Sequence, residues 1–199
     1  MHTDCLMKRL LALLVGGLFA LAACTAGTDA VDQSAGGQFR FVGATPHGKT
    51  IGETSRKTAG NVSGELLSGG NFDLAAQKGK IVVLNFWASY CGPCRTESPN
   101  FDTIYRSMKG DGVEFVGLDV KEVGRDAPNN FIHDFKITYP SVWDPKAKTA
   151  LQLGKLPVAA AGLPWTVLVD KQQRVAAVYI GEVLPADVKP ALTSLLAES

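Results

Sequence analysis

Two cysteines separated by two residues are the part of this sequence best suited to chemistry. Cys91 and Cys94 enclose Gly92-Pro93 and follow an apolar run, residues 81–86, that is typical of a buried strand. A strand that ends in Cys-x-x-Cys and continues into a helix places the first sulfur at the helix N-terminus, where unpaired N–H groups and the helix dipole favour a thiolate. The spacing therefore predicts a redox pair, with Cys91 exposed at the cap and Cys94 covered one turn into the helix.

In this arrangement we expect Cys91 to attack a target disulfide and Cys94 to resolve the mixed disulfide that results. A zinc site is the alternative for Cys-x-x-Cys, but zinc takes four ligands. Beyond the N-terminal segment the chain offers no second cysteine pair and only a lone His133 in the domain. We therefore expect no metal and no other cofactor.

Composition narrows the class of protein. The 199 residues allow one domain of ordinary size plus additional segments. The 20 basic and 19 acidic residues nearly cancel, which argues against nucleic acid as the main partner. The two other cysteines, Cys5 and Cys24, lie in or beside the N-terminal segment, so the domain is not a disulfide scaffold of the kind found in small secreted proteins.

The N-terminus has the features of a targeting signal. Lys8-Arg9 precedes an apolar run over residues 10–23, which is short for a membrane span of about 20 residues. Leu21-Ala22-Ala23-Cys24 resembles the lipobox of bacterial lipoproteins, in which the cysteine is lipidated; a plain signal peptide with a coincidental cysteine, or an uncleaved anchor, is the alternative. We predict a signal peptide over residues 1–23, a flexible tether over residues 24–60, and a domain outside the cytoplasm, anchored to the membrane through Cys24.

Residues 61–199 show alternating strand and helix patterns. A hairpin is predicted over residues 62–66 and 71–74, with Ser68-Gly69-Gly70 at its turn. The predicted strands are residues 80–86, 112–119, 165–169 and 174–180, and the predicted helices are residues 93–108, 126–136, 146–153 and 185–197. This order predicts an α/β fold in which a central mixed β-sheet is flanked by helices.

With the cysteine motif, this domain resembles the thioredoxin superfamily, and within it the extracytoplasmic TlpA/ResA-type thiol-disulfide oxidoreductases. Three segments carry the resemblance: Gly79-Lys80 leading through residues 82–89 to the cysteine pair, the added helical segment over residues 125–136 with residues 139–144, and Gly162-Leu163-Pro164 before a strand. The resemblance implies a thioredoxin fold with an N-terminal β-hairpin and an inserted helix.

The resemblance also assigns residues around the cysteines. Pro164 matches the family's cis-proline, and Leu163 before it would offer backbone groups to an incoming peptide. Asn85 stands where many thioredoxins carry an aspartate, so that proton acceptor is missing. Glu97 matches a glutamate that is thought to assist proton transfer in ResA-type proteins; a solvated helix glutamate is the alternative.

Three aromatic residues complete the predicted site. Trp87 and Tyr90 flank the cysteine motif, where they would shield the pair and give partners an aromatic rim. For Trp87, packing in the core is expected to be the larger part of its role. Trp165 departs from the small or polar residue that the family more often carries. It would either widen the apolar contact surface for a partner or fill the core.

The predicted function is disulfide exchange with protein cysteines outside the cytoplasm, together with a membrane thiol donor or acceptor. Gly-Pro between the cysteines is also the dipeptide of thioredoxin, a reductant at about −270 mV, which favours a reductant in cytochrome c maturation or general thiol reduction. A disulfide-donating oxidase is the alternative direction. A copper metallochaperone is the alternative of another class, although such relatives typically combine Cys-x-x-x-Cys with a nearby histidine.

Overall fold

A computed structural model of the chain describes residues 41–45, 48–154, 156 and 162–198, with side chains described from residue 48 onward. The predicted signal peptide, Cys24 and the first part of the predicted tether lie outside these residues. Within the described part of the chain, no helix is long and apolar enough to cross a membrane.

The centre of the domain is a seven-stranded mixed sheet in the order β1-β2-β9-β8-β5-β6-β7. Strand β5, which leads to the cysteine pair, runs parallel to β6 and antiparallel to β8, and β6 runs parallel to β7. The strands of this sheet are β1 (Phe41–Thr45), β2 (Gly48–Ile51), β5 (Ile81–Trp87), β6 (Val113–Val120), β7 (Ser141–Asp144), β8 (Trp165–Val169) and β9 (Val175–Ile180).

Four α-helices accompany the sheet: α1 (Gly92–Met108), α2 (Asp126–Asp134), α3 (Lys148–Gln152) and α4 (Pro185–Ala197). All seven residues of β5 are buried, as expected for a strand in a sheet covered on both faces. On one face of β5, Ile81 and Val83 pack in one core cluster with side chains of α1, α2 and α4; on the other, Val82 and Leu84 belong to a second cluster. The predicted α/β class with a central mixed sheet and flanking helices is confirmed.

The predicted N-terminal hairpin is also confirmed. Strands β3 (Ser63–Glu65) and β4 (Asn71–Asp73) pair antiparallel in a separate two-stranded sheet. Leu66, which follows β3, forms an isolated antiparallel bridge with Val142 of β7. The hairpin therefore contacts the edge strand that follows the inserted helix α2.

The folded part of the chain begins earlier than the predicted boundary at residue 61. Strand β2 pairs with β9, and β1 extends the sheet beyond it. Ile51 and Ala59 are 1% and 0% exposed, so they belong to the core and not to a tether. Arg56 forms ion pairs with Asp170 and Glu198, which tie this segment to the C-terminal helix. The tether predicted for residues 24–60 is therefore too long at its C-terminal end.

Candidate functional site

The cysteine pair lies where β5 ends and α1 begins. Cys91 is the N-cap of α1, and its Sγ accepts a hydrogen bond from the Cys94 backbone N–H at 3.2 Å. Pro93 sits in the first turn, where its missing N–H removes no helical hydrogen bond. Cys91 and Cys94 form a disulfide with an S–S distance of 2.01 Å. A thiolate on Cys91 would keep this N–H donor and face the positive end of the helix dipole.

The two sulfurs differ in access, although less than the sequence predicts. Cys94 is 0% exposed and Cys91 is 7% exposed. Cys91 is thus covered more than expected, and its N–H donates a hydrogen bond to the Ala88 carbonyl, which closes the turn that carries it. A partner can reach the pair only at the small exposed area of Cys91.

Glu97 is a buried carboxyl on α1, three residues after Cys94. Its side chain is 0% exposed, so the interpretation as a solvated helix glutamate is wrong. Oε2 accepts a hydrogen bond of 2.6 Å from Nδ2 of Asn85, and Oε1 accepts one of 2.9 Å from the Val183 N–H. These two donors favour the carboxylate, but loss of hydration outweighs them, and burial raises the pKa of Glu97 to about 8.

Asn85 links Glu97 to the sheet. The Asn85 Nδ2 group also donates to Oγ1 of Thr166 at 3.0 Å, across the neighbouring strand β8. Asn85 therefore donates both N–H groups of its side-chain amide, one to the carboxyl of Glu97 and one to the hydroxyl of Thr166 in the sheet. An aspartate at this position would instead place a second carboxyl against Glu97.

The segment before β8 is the one for which peptide docking is predicted. The Leu163–Pro164 bond is cis, as predicted from the resemblance. The Pro164 carbonyl accepts a hydrogen bond from the Gly181 N–H at 2.9 Å, which fixes this segment to the end of β9. Leu163 is half-buried and packs against both core clusters.

Of the two aromatic residues predicted to form a rim for partners, only Tyr90 is exposed. Tyr90 is 63% exposed, next to Cys91. Trp87 is 2% exposed and packs on Phe131 of α2 at a ring-centroid distance of 4.6 Å, so its predicted contact with partners is wrong for this disulfide form. Its side chain belongs to the same buried core cluster as Cys91 and Cys94.

Trp165 fills the core. It is 5% exposed and stacks on Phe86 with centroids 3.5 Å apart and planes 7° apart. Of the two roles that the sequence left open, core packing is the one observed. Arg95 lies over the rings of Phe131 and Phe135, at 5.9 and 5.5 Å, where a cation–π interaction holds its guanidinium.

Sequence reasoning missed three polar residues beside the site. Thr166 anchors Asn85, Glu122 bonds the turn before Cys91, and Asp119 is a fully buried acid at the end of β6. One signal was available: Asp119 stands between the apolar residues Leu118 and Val120 at the end of a strand pattern. In the described ranges, no group of three or more His, Cys, Asp or Glu side chains is arranged to hold a metal ion.

Comparison with known proteins places this geometry among redox proteins. The AhpC/TSA family matches residues 56–178. The chain is 35% identical over 116 residues to the thiol-disulfide oxidoreductase ResA of Bacillus thuringiensis, covering 58% of this chain and 64% of that protein. It is 32% identical over 129 residues to ResA of Geobacillus thermodenitrificans, covering 65% and 71%. The match thus spans under two thirds of the first of these relatives.

Solved structures extend the similarity over more of the chain. A DsbF homologue from Corynebacterium diphtheriae is 38% identical, with a TM-score of 0.71, covering 80% of this chain and all of that one. A secreted thiol-disulfide isomerase from Corynebacterium glutamicum is 32% identical, with a TM-score of 0.72, covering 82% and 100%. The predicted thioredoxin fold is confirmed.

Proposed function

Because this chain belongs to the AhpC/TSA family, within the thioredoxin superfamily, we propose that it is a thiol-disulfide oxidoreductase that exchanges disulfides with protein cysteines outside the cytoplasm. The observation that carries this proposal is the disulfide between Cys91 and Cys94 at the N-terminus of α1, with a buried carboxyl one turn further along the helix.

Cys91 is the nucleophile in the reduced protein. Its thiolate accepts the Cys94 N–H and attacks one sulfur of a target disulfide. A bond forms between Cys91 and the target, the target S–S bond breaks, and the second target sulfur leaves as a thiolate that takes up a proton. The small exposed area of Cys91 requires the target disulfide to be presented by an extended segment.

Cys94 completes the exchange. Its thiol loses a proton and attacks the Cys91 sulfur, so that the Cys91–Cys94 disulfide forms and the target leaves as a second thiolate. Two electrons have then passed to the target, and its two thiolates take up the proton from Cys94 and one proton from solvent. Glu97 is the proton acceptor and donor in this step, because its pKa of about 8 lies close to that of a cysteine thiol, about 8.5.

The backbone of Leu163 supports a docking role for the segment before β8. Among the described residues none forms a hydrogen bond with the Leu163 N–H or carbonyl, so both groups are available to an extended peptide. Exposed Tyr90 adds apolar area beside Cys91. We assign peptide docking to Leu163, Pro164 and Tyr90.

The direction we propose is reduction of the partner. The support is the Gly92-Pro93 pair between the cysteines, which is shared with the reductant thioredoxin. Equilibration with glutathione buffers, with Cys91 and Cys94 read separately from Cys5 and Cys24 by alkylation and peptide mass spectrometry, measures the potential. A value below about −200 mV supports a reductant, and a value near −120 mV, that of DsbA, supports an oxidase instead.

We also propose that the domain is a lipoprotein held on the outer side of the cell membrane, where a membrane thiol donor would reduce it. The support is the basic pair Lys8-Arg9, the apolar run and Leu21-Ala22-Ala23-Cys24. Labelling cells with a fatty-acid analogue tests this: wild type should incorporate the label and Cys24→Ala should not. Equal incorporation would reject the anchor while leaving the redox function untouched.

A further inference from the structure

Asp119 is a buried acid that the exchange reaction does not use. It is 0% exposed at the end of β6, and neither of its oxygens has a hydrogen-bond partner among the described residues. A polar group buried without a partner is costly, and an ionised one far more so. The position therefore stabilises the neutral carboxylic acid over the carboxylate.

The charges that face Asp119 reinforce this preference. In register it pairs with Trp87 of β5 and Trp143 of β7, which are not ionisable. The nearby carboxylates of Glu122 and Asp144 add to burial, and together they raise the pKa of Asp119 to about 8.

The neighbouring arginines have other partners. The Arg125 guanidinium lies 5.3 Å from the Trp143 ring centroid and donates to Glu65 at 2.7 Å. Arg95, on α1, lies over the aromatic rings of α2. Since neither Asp119 oxygen has a hydrogen-bond partner among the described residues, no cation there compensates a negative charge on it by a hydrogen bond.

Glu122 connects this acid to the cysteine turn. It lies three residues after Asp119, and its Oε1 accepts a hydrogen bond of 2.6 Å from the Ser89 backbone N–H. Ser89 precedes Cys91 by two residues. Among the described residues, this is the one hydrogen bond between the backbone of residues 88–91 and a side chain outside that turn. The bond from the Cys94 N–H to the Cys91 Sγ belongs to the cap of α1.

We propose that Asp119 is a positioning residue for the cysteine turn: its uncharged form lets Glu122 hold the Ser89 amide, and its ionisation releases that amide. The consequence for catalysis rests on the proposed disulfide exchange, because the released turn is the one that carries Cys91. The positioning itself is a property of the folded protein and does not require a partner.

The physical link is repulsion between two carboxylates. Glu122 is only half-buried, so its carboxylate can turn to solvent when a second negative charge develops in the low-dielectric interior behind it. Coupling of this kind is reciprocal: if ionised Asp119 weakens the bond between Glu122 and Ser89, that bond equally raises the pKa of Asp119. The neutral form of Asp119 and the hydrogen bond between Glu122 and the Ser89 amide therefore occur together.

The Ser89 amide resonance in ¹⁵N-labelled full-length protein tests this between pH 6 and pH 10. The disulfide form is used, because Cys91 and Cys94 then do not titrate. We expect the resonance to move with a midpoint near pH 8 in wild type and to keep its low-pH position throughout in Asp119→Asn. Glu97→Gln is the control, and it should leave the midpoint unchanged, since Glu97 bonds to Asn85 and Val183 instead.

Glu122→Gln gives a second and independent reading. Glutamine keeps an oxygen acceptor for the Ser89 N–H but removes the charge that Asp119 would repel, so the resonance should keep its low-pH position throughout. A Ser89 amide that does not move in wild type, or that moves with the wild-type midpoint in Asp119→Asn, would overturn the proposal. If Asp119→Asn does not fold, a Ser89 amide that still moves with the wild-type midpoint in Glu122→Gln overturns it alone. None of these outcomes depends on whether the protein exchanges disulfides.

Discussion

The side chain of Asn85 donates a hydrogen bond of 2.6 Å to the carboxyl group of Glu97, from strand β5 to the helix that begins at the cysteine pair. The residue that binds protons thus lies on the helix, and the strand supplies a neutral donor. Because Asn85 cannot ionise, all proton exchange at this contact belongs to Glu97.

The first prediction concerns stability and pH. Glu97 has a pKa of about 8 when folded, against 4.5 ordinarily, so between these values the folded protein holds a proton that the unfolded chain has released. The stabilising contribution is complete below pH 4.5 and is lost as pH rises towards 8, with a slope of up to about 1.4 kcal/mol per pH unit for one proton. Asp119 adds a term of the same sign.

Urea denaturation of the disulfide form at pH 5, 6, 7 and 8 measures this slope. Glu97→Gln should make the free energy of unfolding depend less steeply on pH than in wild type, whatever the absolute stability of the variant. An identical slope in both proteins would show that Glu97 is already ionised in the fold near pH 5.

The second prediction concerns the rate of exchange. Glu97→Gln removes the group that takes the Cys94 proton, so reduction of a protein disulfide at pH 7 should slow by at least about tenfold, with a flatter rate profile between pH 7 and 9. Stopped-flow fluorescence with a reduced enzyme and an oxidised protein substrate measures both. Glu114→Gln, whose carboxylate is paired with Lys80 on the surface of the sheet, is the matched control and should keep the wild-type profile.

The third prediction concerns the close packing beneath Trp87. A Cβ at Gly117 would lie 2.3 Å from Ser141 Oγ and 2.6 Å from Trp87 Nε1. Gly117→Ala should therefore lower the free energy of unfolding by about 1–3 kcal/mol, as overpacking does. Gly110→Ala, where the added Cβ meets nothing within 4 Å, should change it by less than about 0.5 kcal/mol. Equal effects would contradict the packing described for Trp87.

The fourth prediction separates the two aromatic residues near the docking segment. Trp165→Ala removes the stacked partner of Phe86 and should cost about 3–5 kcal/mol of stability. Tyr90→Ala should leave stability nearly unchanged, because the ring is exposed, but it should lower kcat/KM several-fold for a protein disulfide. Oxidised glutathione should be reduced at the wild-type rate, since it is too small to span Cys91 and the rim. A parallel loss on both substrates would place Tyr90 in the chemistry and not in docking.

Sequence patterns predicted the secondary structure correctly where a single run of residues determines it. The apolar run of β5 and the Cys-x-x-Cys after it are local, so the strand, the cap and the helix could all be predicted. Strands β1 and β2 could not, because β2 forms by pairing with β9, more than 120 residues later, and β1 pairs with β2 in turn. The four-residue strand β7 was missed for a similar reason, since its pairing with β6 decides its structure.

Burial of the acids was beyond the reach of sequence reasoning. Glu97 follows an ordinary helical spacing, and it is buried only because Val183, 86 residues later, and Asn85 close over it. Asp119 was placed correctly on its strand, but its lack of hydrogen-bond partners depends on the side chains of two neighbouring strands. Both cases involve contacts between distant segments, which a local pattern does not contain.

The central claim is that Cys91 attacks protein disulfides and Cys94 resolves the product. Cys91→Ser and Cys94→Ser, each reduced and mixed with an oxidised protein substrate, test it on a non-reducing gel, with alkylation and peptide mass spectrometry identifying the linked cysteine. We predict that Cys94→Ser accumulates a covalent complex joined through Cys91 and that Cys91→Ser accumulates none at Cys94. A complex joined through Cys94 in Cys91→Ser, or no complex at Cys91 in Cys94→Ser, would contradict the account.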